Sequence, residues 1–174
     1  MKADKNLFVH SSFKDDVTKK YSPSTNNECN FYSNKDKAFL SLISNVKEVN
    51  RSVHSANADT GTDGNYICVN DMKYVSELIV DTTRHVCMPD GRVITSTHSG
   101  LVDLPSLPTK ARKCWIFKEL IGSLLCPGDW VDSGATVIYT ELKVIVNDRN
   151  GVTILTGDRV KDTKLWMIDL NKAL

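Results

Sequence analysis

Glycine is missing from the first part of this 174-residue chain, since all nine glycines lie at Gly61 or beyond it. The same part is rich in Ser, Asn and Lys and has few aliphatic residues before Phe39. A segment of this composition cannot bury enough apolar surface to form a core. We therefore predict a low-complexity, mostly disordered leader or linker over residues 1–56, followed by one folded domain over residues 57–170.

The sequence also lacks long apolar runs and an excess of charge of one sign. No run approaches the roughly 20 apolar residues of a membrane helix, and no apolar segment of a secretory signal follows Met1. Lys and Arg number 22 against 21 Asp and Glu, which gives a formal net charge of +1. These absences predict a cytoplasmic protein that does not bind membranes. Nucleic-acid binding through the basic leader is a weak alternative, since no zinc knuckle or aromatic stacking pattern accompanies it.

Signals of metal and nucleotide chemistry are equally scarce. The five cysteines are widely spread without a CxxC pair, and no two of the four histidines are spaced i,i+4. The GxSxG, GxxxxGK[ST] and GxGxxG motifs do not occur. We expect buried free thiols, no metal and no cofactor, and we exclude most nucleotide-binding and serine-hydrolase functions.

One segment of the leader has helical periodicity. Residues 36–49 carry apolar side chains at helical spacing, with Asn34 or Asp36 available as an N-cap. The apolar positions are Ala38, Phe39, Leu42, Ile43, Val46 and Val49. The pattern predicts a short amphipathic helix, which either packs on its own domain, serves as a linker or binds a partner.

From residue 59 onward the sequence alternates short β-type runs with turn residues, which predicts an all-β domain. The predicted strands are Tyr66–Val69, Glu77–Val80, His85–Met88, Arg92–Thr97, Gly100–Leu104, Cys114–Phe117, Val137–Tyr139, Leu142–Val146, Val152–Thr156 and Leu165–Ile168. The turn at Pro89–Asp90–Gly91 predicts a β-hairpin. One short helix is expected between Gly122 and Asp132, although Pro127–Gly128 disfavours it.

The tripeptide Asp59–Thr60–Gly61 is the candidate catalytic motif. Two neighbouring aspartates cannot both ionise, so they share one proton and can activate a water molecule between them. In such a site Gly61 would let the backbone turn close to a substrate, and Thr60 would hydrogen-bond to the partner loop. Taken alone, the tripeptide favours an ordinary polar turn over a catalytic site.

Several further stretches, in order along residues 57–170, resemble the aspartic peptidase region of copia-type (pseudoviral) retrotransposon polyproteins. The matching stretches are Ala58–Tyr66, Met88–Arg92, Ile94–His98, Leu101–Pro108, Ala111–Arg112, Ile116–Phe117, Ser123–Leu125, Leu155–Arg159 and Leu165–Trp166. The resemblance implies a retropepsin-like closed β-barrel subunit and a homodimer with one Asp59 from each copy. It also implies cleavage of an extended peptide of a Gag-Pol-type polyprotein, in association with virus-like particles.

The same resemblance implies roles for other residues. It places Thr60, Gly61 and Thr62 in support of the catalytic loop, and Leu120, Ile121 and Gly122 in the apolar segment that passes near this loop. It makes Pro89, Asp90 and Gly91 the tip of a flap over the substrate, although an ordinary surface hairpin is as good an interpretation. Retroviral enzymes have an Arg, able to pair with an acid such as Asp63, where this chain has Ser123.

Two alternatives stay open. A second motif, Asp132–Ser133–Gly134, invites a bilobal pepsin-like interpretation, but its offset from Asp59, 132 − 59 = 73 residues, is short for a duplicated lobe. The resemblance implies a turn entering a strand there instead. The other alternative is a non-catalytic dimerisation or peptide-binding remnant of a retroelement, in which the cleft persists without proteolysis.

Overall fold

The computed structural model describes residues 54–88 and 90–171. The predicted helix over residues 36–49 and the hairpin residue Pro89 lie outside the described residues.

The described residues form twelve strands and three short helical segments. The strands are β1 (Ser55–Ala58), β2 (Asn65–Cys68), β3 (Val75–Val80), β4 (His85–Cys87), β5 (Val93–Thr95), β6 (His98–Val102), β7 (Lys113–Phe117), β8 (Leu124–Leu125), β9 (Thr136–Tyr139), β10 (Lys143–Asn147), β11 (Thr153–Arg159) and β12 (Trp166–Asp169). The helical segments are a 3₁₀ helix (Val69–Tyr74), α1 (Thr109–Arg112) and α2 (Pro127–Asp132). The prediction of an all-β domain is therefore confirmed.

Ten of these strands form one sheet in the order β3-β6-β7-β2-β8-β1-β12-β11-β10-β9, and β4 and β5 form a separate hairpin. Strand β1 lies between β8, to which it is parallel, and β12, to which it is antiparallel. Strands β3 and β9 are the two edges, and among the described residues no strand pairing joins them. The predicted closed barrel is thus not seen in this part of the chain.

The main core forms where alternating strand residues and the two α-helices meet. In β10 every second residue is buried, so Val144 and Val146 point inward while their neighbours are less covered. Trp130 of α2 and Ile168 of β12 are fully buried in the same cluster. Burial of such side chains stabilises the fold by roughly 1.5–3 kcal/mol each.

A second, smaller core lies beneath the hairpin. Its buried members are Tyr66, Cys68, Ile94, Phe117, Leu120 and Leu124. Val86 of β4 and Met88 pack against it, so the hairpin is attached to the large sheet by apolar contacts.

The expectation that Pro127–Gly128 disfavours a helix was wrong. Pro127 is the first residue of α2, where its missing N–H is not needed and its fixed φ suits the helix. Two further helical segments, α1 and the 3₁₀ helix, were not expected from the sequence. They are four and six residues long, too short for a periodic apolar pattern.

Candidate functional site

Strand β1 carries Asp59 into the middle of the large sheet. The Asn57 amide donates a hydrogen bond to the Ser123 carbonyl, and the Asp59 amide donates one to the Leu125 carbonyl, each at 2.9 Å. On its other edge β1 pairs with β12, with Ala56 opposite Ile168. The backbone before Asp59 is therefore held on both sides, although its side chains are small.

The loop after β1 closes on the aspartate itself. The Asp59 side chain is buried, with 6% of the residue exposed, and its Oδ1 accepts a hydrogen bond from the Gly61 amide at 2.8 Å. The Thr62 hydroxyl donates to the Asp59 carbonyl at 3.0 Å. Thr60 and Gly61 are exposed at the surface. The loop thus presents an exposed turn beside a carboxylate of fixed orientation, and Gly61 and Thr62 each make one local hydrogen bond to Asp59.

Tyr139 and Cys126 lie on the inner side of this loop. Burial raises the pKa of Tyr139 to about 12, with smaller contributions from the negative charge of Asp59 and from Cys126. The Tyr139 hydroxyl is buried and has no hydrogen-bond partner among the described residues. The Cys126 thiol lies 3.1 Å from the Thr62 carbonyl, to which it donates. The loop therefore borders a partly desolvated environment.

Asn65 joins three elements beneath the loop. Its fully buried side-chain NH₂ donates to the carbonyls of Ala111 and Lys113, at 3.1 and 2.8 Å, and its Oδ1 accepts from the Cys126 amide at 2.9 Å. One amide side chain thereby ties β2 to α1, to the start of β7 and to the start of α2. Asn65 lies in one of the matching stretches, but its spacing gave no indication of this role.

Ser123 has a polar partner, although it is not the partner found in retroviral enzymes. Its hydroxyl donates to Asp71 Oδ2 at 2.6 Å and accepts from the Cys68 amide at 3.0 Å. Nδ1 of His54 lies 3.8 Å from the other oxygen of the Asp71 carboxylate. A buried hydrogen-bonded carboxylate thus supports β8. Asp63 pairs instead with Arg84, with Nη2 at 2.6 Å from Oδ2.

The three residues of the segment predicted to pass near the loop, Leu120, Ile121 and Gly122, differ in burial. Leu120 is buried in the second core with 7% exposed, whereas Ile121 is 62% exposed and Gly122 is half-buried. The backbone groups that hold β1 belong to the residues that follow, Ser123 and Leu125. The resemblance of Ser123–Leu125 to the copia-type peptidase region was the available sequence signal for these two residues.

The hairpin predicted as a flap is present as β4 and β5. The Met88 amide donates to the Arg92 carbonyl at 2.7 Å, and the Gly91 amide donates to the Met88 carbonyl at 2.9 Å. Gly91 has a φ of 86°, a conformation that glycine adopts without strain. The exposed Asp90 carboxylate accepts from Arg92 Nε at 2.7 Å.

The second motif, Asp132–Ser133–Gly134, forms the end of helix α2. Asp132 is the last residue of α2, and Gly134 follows with a φ of 94°. The Gly134 amide donates to the Val131 carbonyl at 2.8 Å, and the Ala135 amide donates to the Trp130 carbonyl at 3.0 Å. These contacts form a helix C-terminus with a left-handed glycine, and β9 follows it. The segment is thus the predicted turn that enters a strand.

Within residues 54–88 and 90–171, no group of three or more His, Cys, Asp or Glu side chains is arranged to hold a metal ion. No helix in the same ranges is long and apolar enough to cross a membrane. The candidate site is the buried Asp59 beside an exposed turn, and Arg84, which precedes the β4–β5 hairpin, contacts Asp63 after this turn. Compared with protein-family models, with curated proteins and with solved structures, the chain matches none of them.

Proposed function

We propose that this protein is an aspartic endopeptidase of the copia-type retrotransposon class, acting as a homodimer with Asp59 from each copy. The observation that carries the proposal is the geometry of the Asp59 loop. A buried carboxylate is held by the Gly61 amide at the base of an exposed turn, and strand pairing fixes the preceding backbone on both sides. A second copy docked on the exposed turn would bring the two carboxylates together.

The chemistry follows from two carboxylates that share one proton. The ionised Asp59 accepts a proton from the water between them, and the protonated Asp59 donates a hydrogen bond to the scissile carbonyl. The hydroxide equivalent adds to the carbonyl carbon, and the C–N bond then breaks as the nitrogen takes up a proton. The products are a carboxylic acid and an amine, and no covalent bond to the enzyme forms.

The β4–β5 hairpin is the feature that favours a peptide substrate in extended conformation. A hairpin beside the site can donate backbone hydrogen bonds to a strand-like peptide and exclude water during the reaction. The substrate class we propose is a Gag-Pol-type polyprotein. We also propose a retropepsin-like fold for the subunit and a location in virus-like particles. Asp90 and Gly91 would lie at the tip of this flap.

The test is cleavage of polyprotein-derived peptides with apolar junctions, near pH 5, by the full chain and by its Asp59→Asn variant. We expect Asp59→Asn to lower kcat by at least about 10³-fold, because the dyad loses the carboxylate that accepts the proton. Asp132→Asn is the matched control and should retain activity. Equal activity of the Asp59→Asn variant and the wild type would exclude the proposal.

Sedimentation with and without a pepstatin-like transition-state analogue distinguishes a peptidase from a non-catalytic dimerisation or peptide-binding module. A peptidase should form a more stable dimer when the analogue is bound, since the ligand binds the assembled site. A chain that dimerises but never cleaves any such peptide would be a non-catalytic dimerisation or peptide-binding module.

A further inference from the structure

Arg84 is at the centre of a cluster that joins three parts of the fold. Its Nη2 lies 2.6 Å from Asp63 Oδ2 and donates to the Tyr66 hydroxyl at 2.7 Å, and its Nε donates to the same hydroxyl at 3.2 Å. The Tyr66 hydroxyl in turn donates to Asp63 Oδ1. Each of the three side chains therefore contacts the other two.

The three residues come from the catalytic loop, the sheet and the base of the hairpin. Asp63 lies two residues after Gly61, Tyr66 is in β2, and Arg84 immediately precedes β4. The backbone of Arg84 is also fixed, since its carbonyl accepts from the Ser96 amide at 2.9 Å and its amide donates to the Ser96 hydroxyl at 3.2 Å. Arg84 thus lies where the two strands of the hairpin meet the sheet.

Aromatic rings hold the guanidinium group in place. The Arg84 Cζ atom lies 5.0 Å from the centroid of the Trp115 ring and 5.6 Å from that of Tyr66. Cation–π contacts of this kind restrict the long side chain and add to its hydrogen bonds. Only 29% of the Arg84 side chain is exposed, whereas 79% of the Asp63 side chain is, so these ring contacts are what separate the cluster from an isolated surface ion pair, which contributes little.

The ionisation of the cluster agrees with this geometry. Burial acts to raise the pKa of Asp63, but hydrogen bonds from Tyr66 and Arg84 and the charge of Arg84 outweigh it, so the pKa lies below its usual value. Burial and the hydrogen bond to Asp63 raise the pKa of Tyr66 well above its usual value. At neutral pH the cluster therefore consists of a cation, an anion and a neutral phenol.

We propose that Arg84 is a positioning residue that joins the base of the β4–β5 hairpin to the loop carrying Asp59, so that hairpin and loop open together. The contacts explain how this works. A hairpin movement that displaces Arg84 breaks its bonds to Asp63 and Tyr66, and the freed Asp63 no longer restrains the residues that follow Gly61. An effect of this linkage on peptide cleavage rests on the proposed function, whereas the linkage between hairpin and loop does not.

The test is amide hydrogen exchange of the full chain, followed by mass spectrometry, in the Arg84→Gln and Asp63→Asn variants. We expect Asp63→Asn to speed exchange in the hairpin strands by about 10-fold or more, and Arg84→Gln to do the same in the loop from Asp59 to Asp63. Arg92→Gln is the matched control, because it removes an ion pair at the exposed end of the same hairpin. It should leave exchange in the loop unchanged.

Exchange confined to the vicinity of each substitution would overturn the inference, and so would an equal effect of Arg92→Gln on the loop. Arg84→Lys provides a second variant, because it keeps the charge but cannot bond Asp63 and Tyr66 in the same fork geometry. We expect the exchange rate of the loop in this variant to lie between those of the wild type and of Arg84→Gln. Because exchange needs no substrate, a failure of the linkage is distinguishable from a failure of the peptidase proposal, which depends on Asp59→Asn.

Discussion

Among the buried polar side chains, Asn65 and Asp71 make hydrogen bonds that join separate elements, whereas the Tyr139 hydroxyl has no partner within the described residues. A buried polar group costs free energy when it is not hydrogen-bonded. The Tyr139 hydroxyl therefore carries such a cost, and the negative charge of Asp59 acts on the same group.

We expect Tyr139→Phe to leave the free energy of unfolding at pH 7 unchanged or to raise it by up to about 1 kcal/mol, because the lost hydroxyl has no partner. It should also change the response to alkali. The pKa of Tyr139 in the folded chain, about 12, exceeds its usual value of 10, so the folded state holds the proton more tightly. Wild-type stability therefore falls as pH rises from about 10 to 12, and this fall should be shallower in Tyr139→Phe. Urea unfolding at a series of pH values measures both effects.

The control for this prediction is Tyr74→Phe, which removes an exposed hydroxyl that does donate a hydrogen bond, to Asn171 Oδ1 at 2.5 Å. We expect a small loss of stability at pH 7 from that variant. A loss of stability from Tyr139→Phe larger than that from Tyr74→Phe would mean that the Tyr139 hydroxyl has a partner after all.

At the scale of secondary-structure elements, the contact of β6 with the edge strand β3 depends on one glycine. The pairing of β3 with β6 is irregular between Ser76 and Ile79, and Glu77 between them has a φ of 51°. A Cβ atom at Gly100 would lie 2.5 Å from the Ser76 carbonyl oxygen and 2.6 Å from Val75 Cγ1. Only glycine lets the two backbones approach this closely.

We expect Gly100→Ala to lower the free energy of unfolding by about 1–3 kcal/mol, because the added methyl group forces the two strands apart. Gly128→Ala is the matched control. Its Cβ would meet only Cys126 Sγ, at 3.4 Å, and alanine is favoured over glycine within a helix. Urea unfolding of both variants measures the difference, and equal midpoints would show that β3 can move away without cost.

At the scale of the whole molecule, each chain contributes a single aspartate to the proposed site. Asp132, the alternative second carboxylate, is the last residue of α2 and belongs to its C-terminal turn. On the proposed function, the dyad therefore requires a second chain, and the pH dependence of cleavage would belong to the pair of Asp59 side chains rather than to either one.

We expect the rate of peptide cleavage to depend on the square of the chain concentration below the dissociation constant of the dimer, and on its first power above it. The rate should also fall on both sides of an acidic optimum, because activity needs one protonated and one ionised Asp59. Initial rates over a dilution series, at several pH values, measure both dependences. A first-order dependence down to the lowest concentration, together with monomeric sedimentation, would contradict a dyad shared between chains.

The alternation of apolar and turn residues was enough to predict ten of the twelve strands. Strands β1 and β8 escaped prediction because their sequences, Ser-Ala-Asn-Ala and Leu-Leu, are too short or too polar to show a period of two. They exist because each pairs with neighbours that are distant in sequence. Likewise, the helix at Pro127 depends on whether proline occupies the first helical position, which propensity alone does not decide.

For the site, the sequence by itself determined the candidate aspartate, its glycine turn and the following hairpin, because these features are local and depend on residue type and spacing. Tertiary structure decided which side chains hold them. The bonds of Ser123 to Asp71 and of Arg84 to Asp63 join residues that are far apart in sequence, as do those of Asn65 to α1 and α2. Such pairings arise from strand register and packing, which a local pattern does not encode.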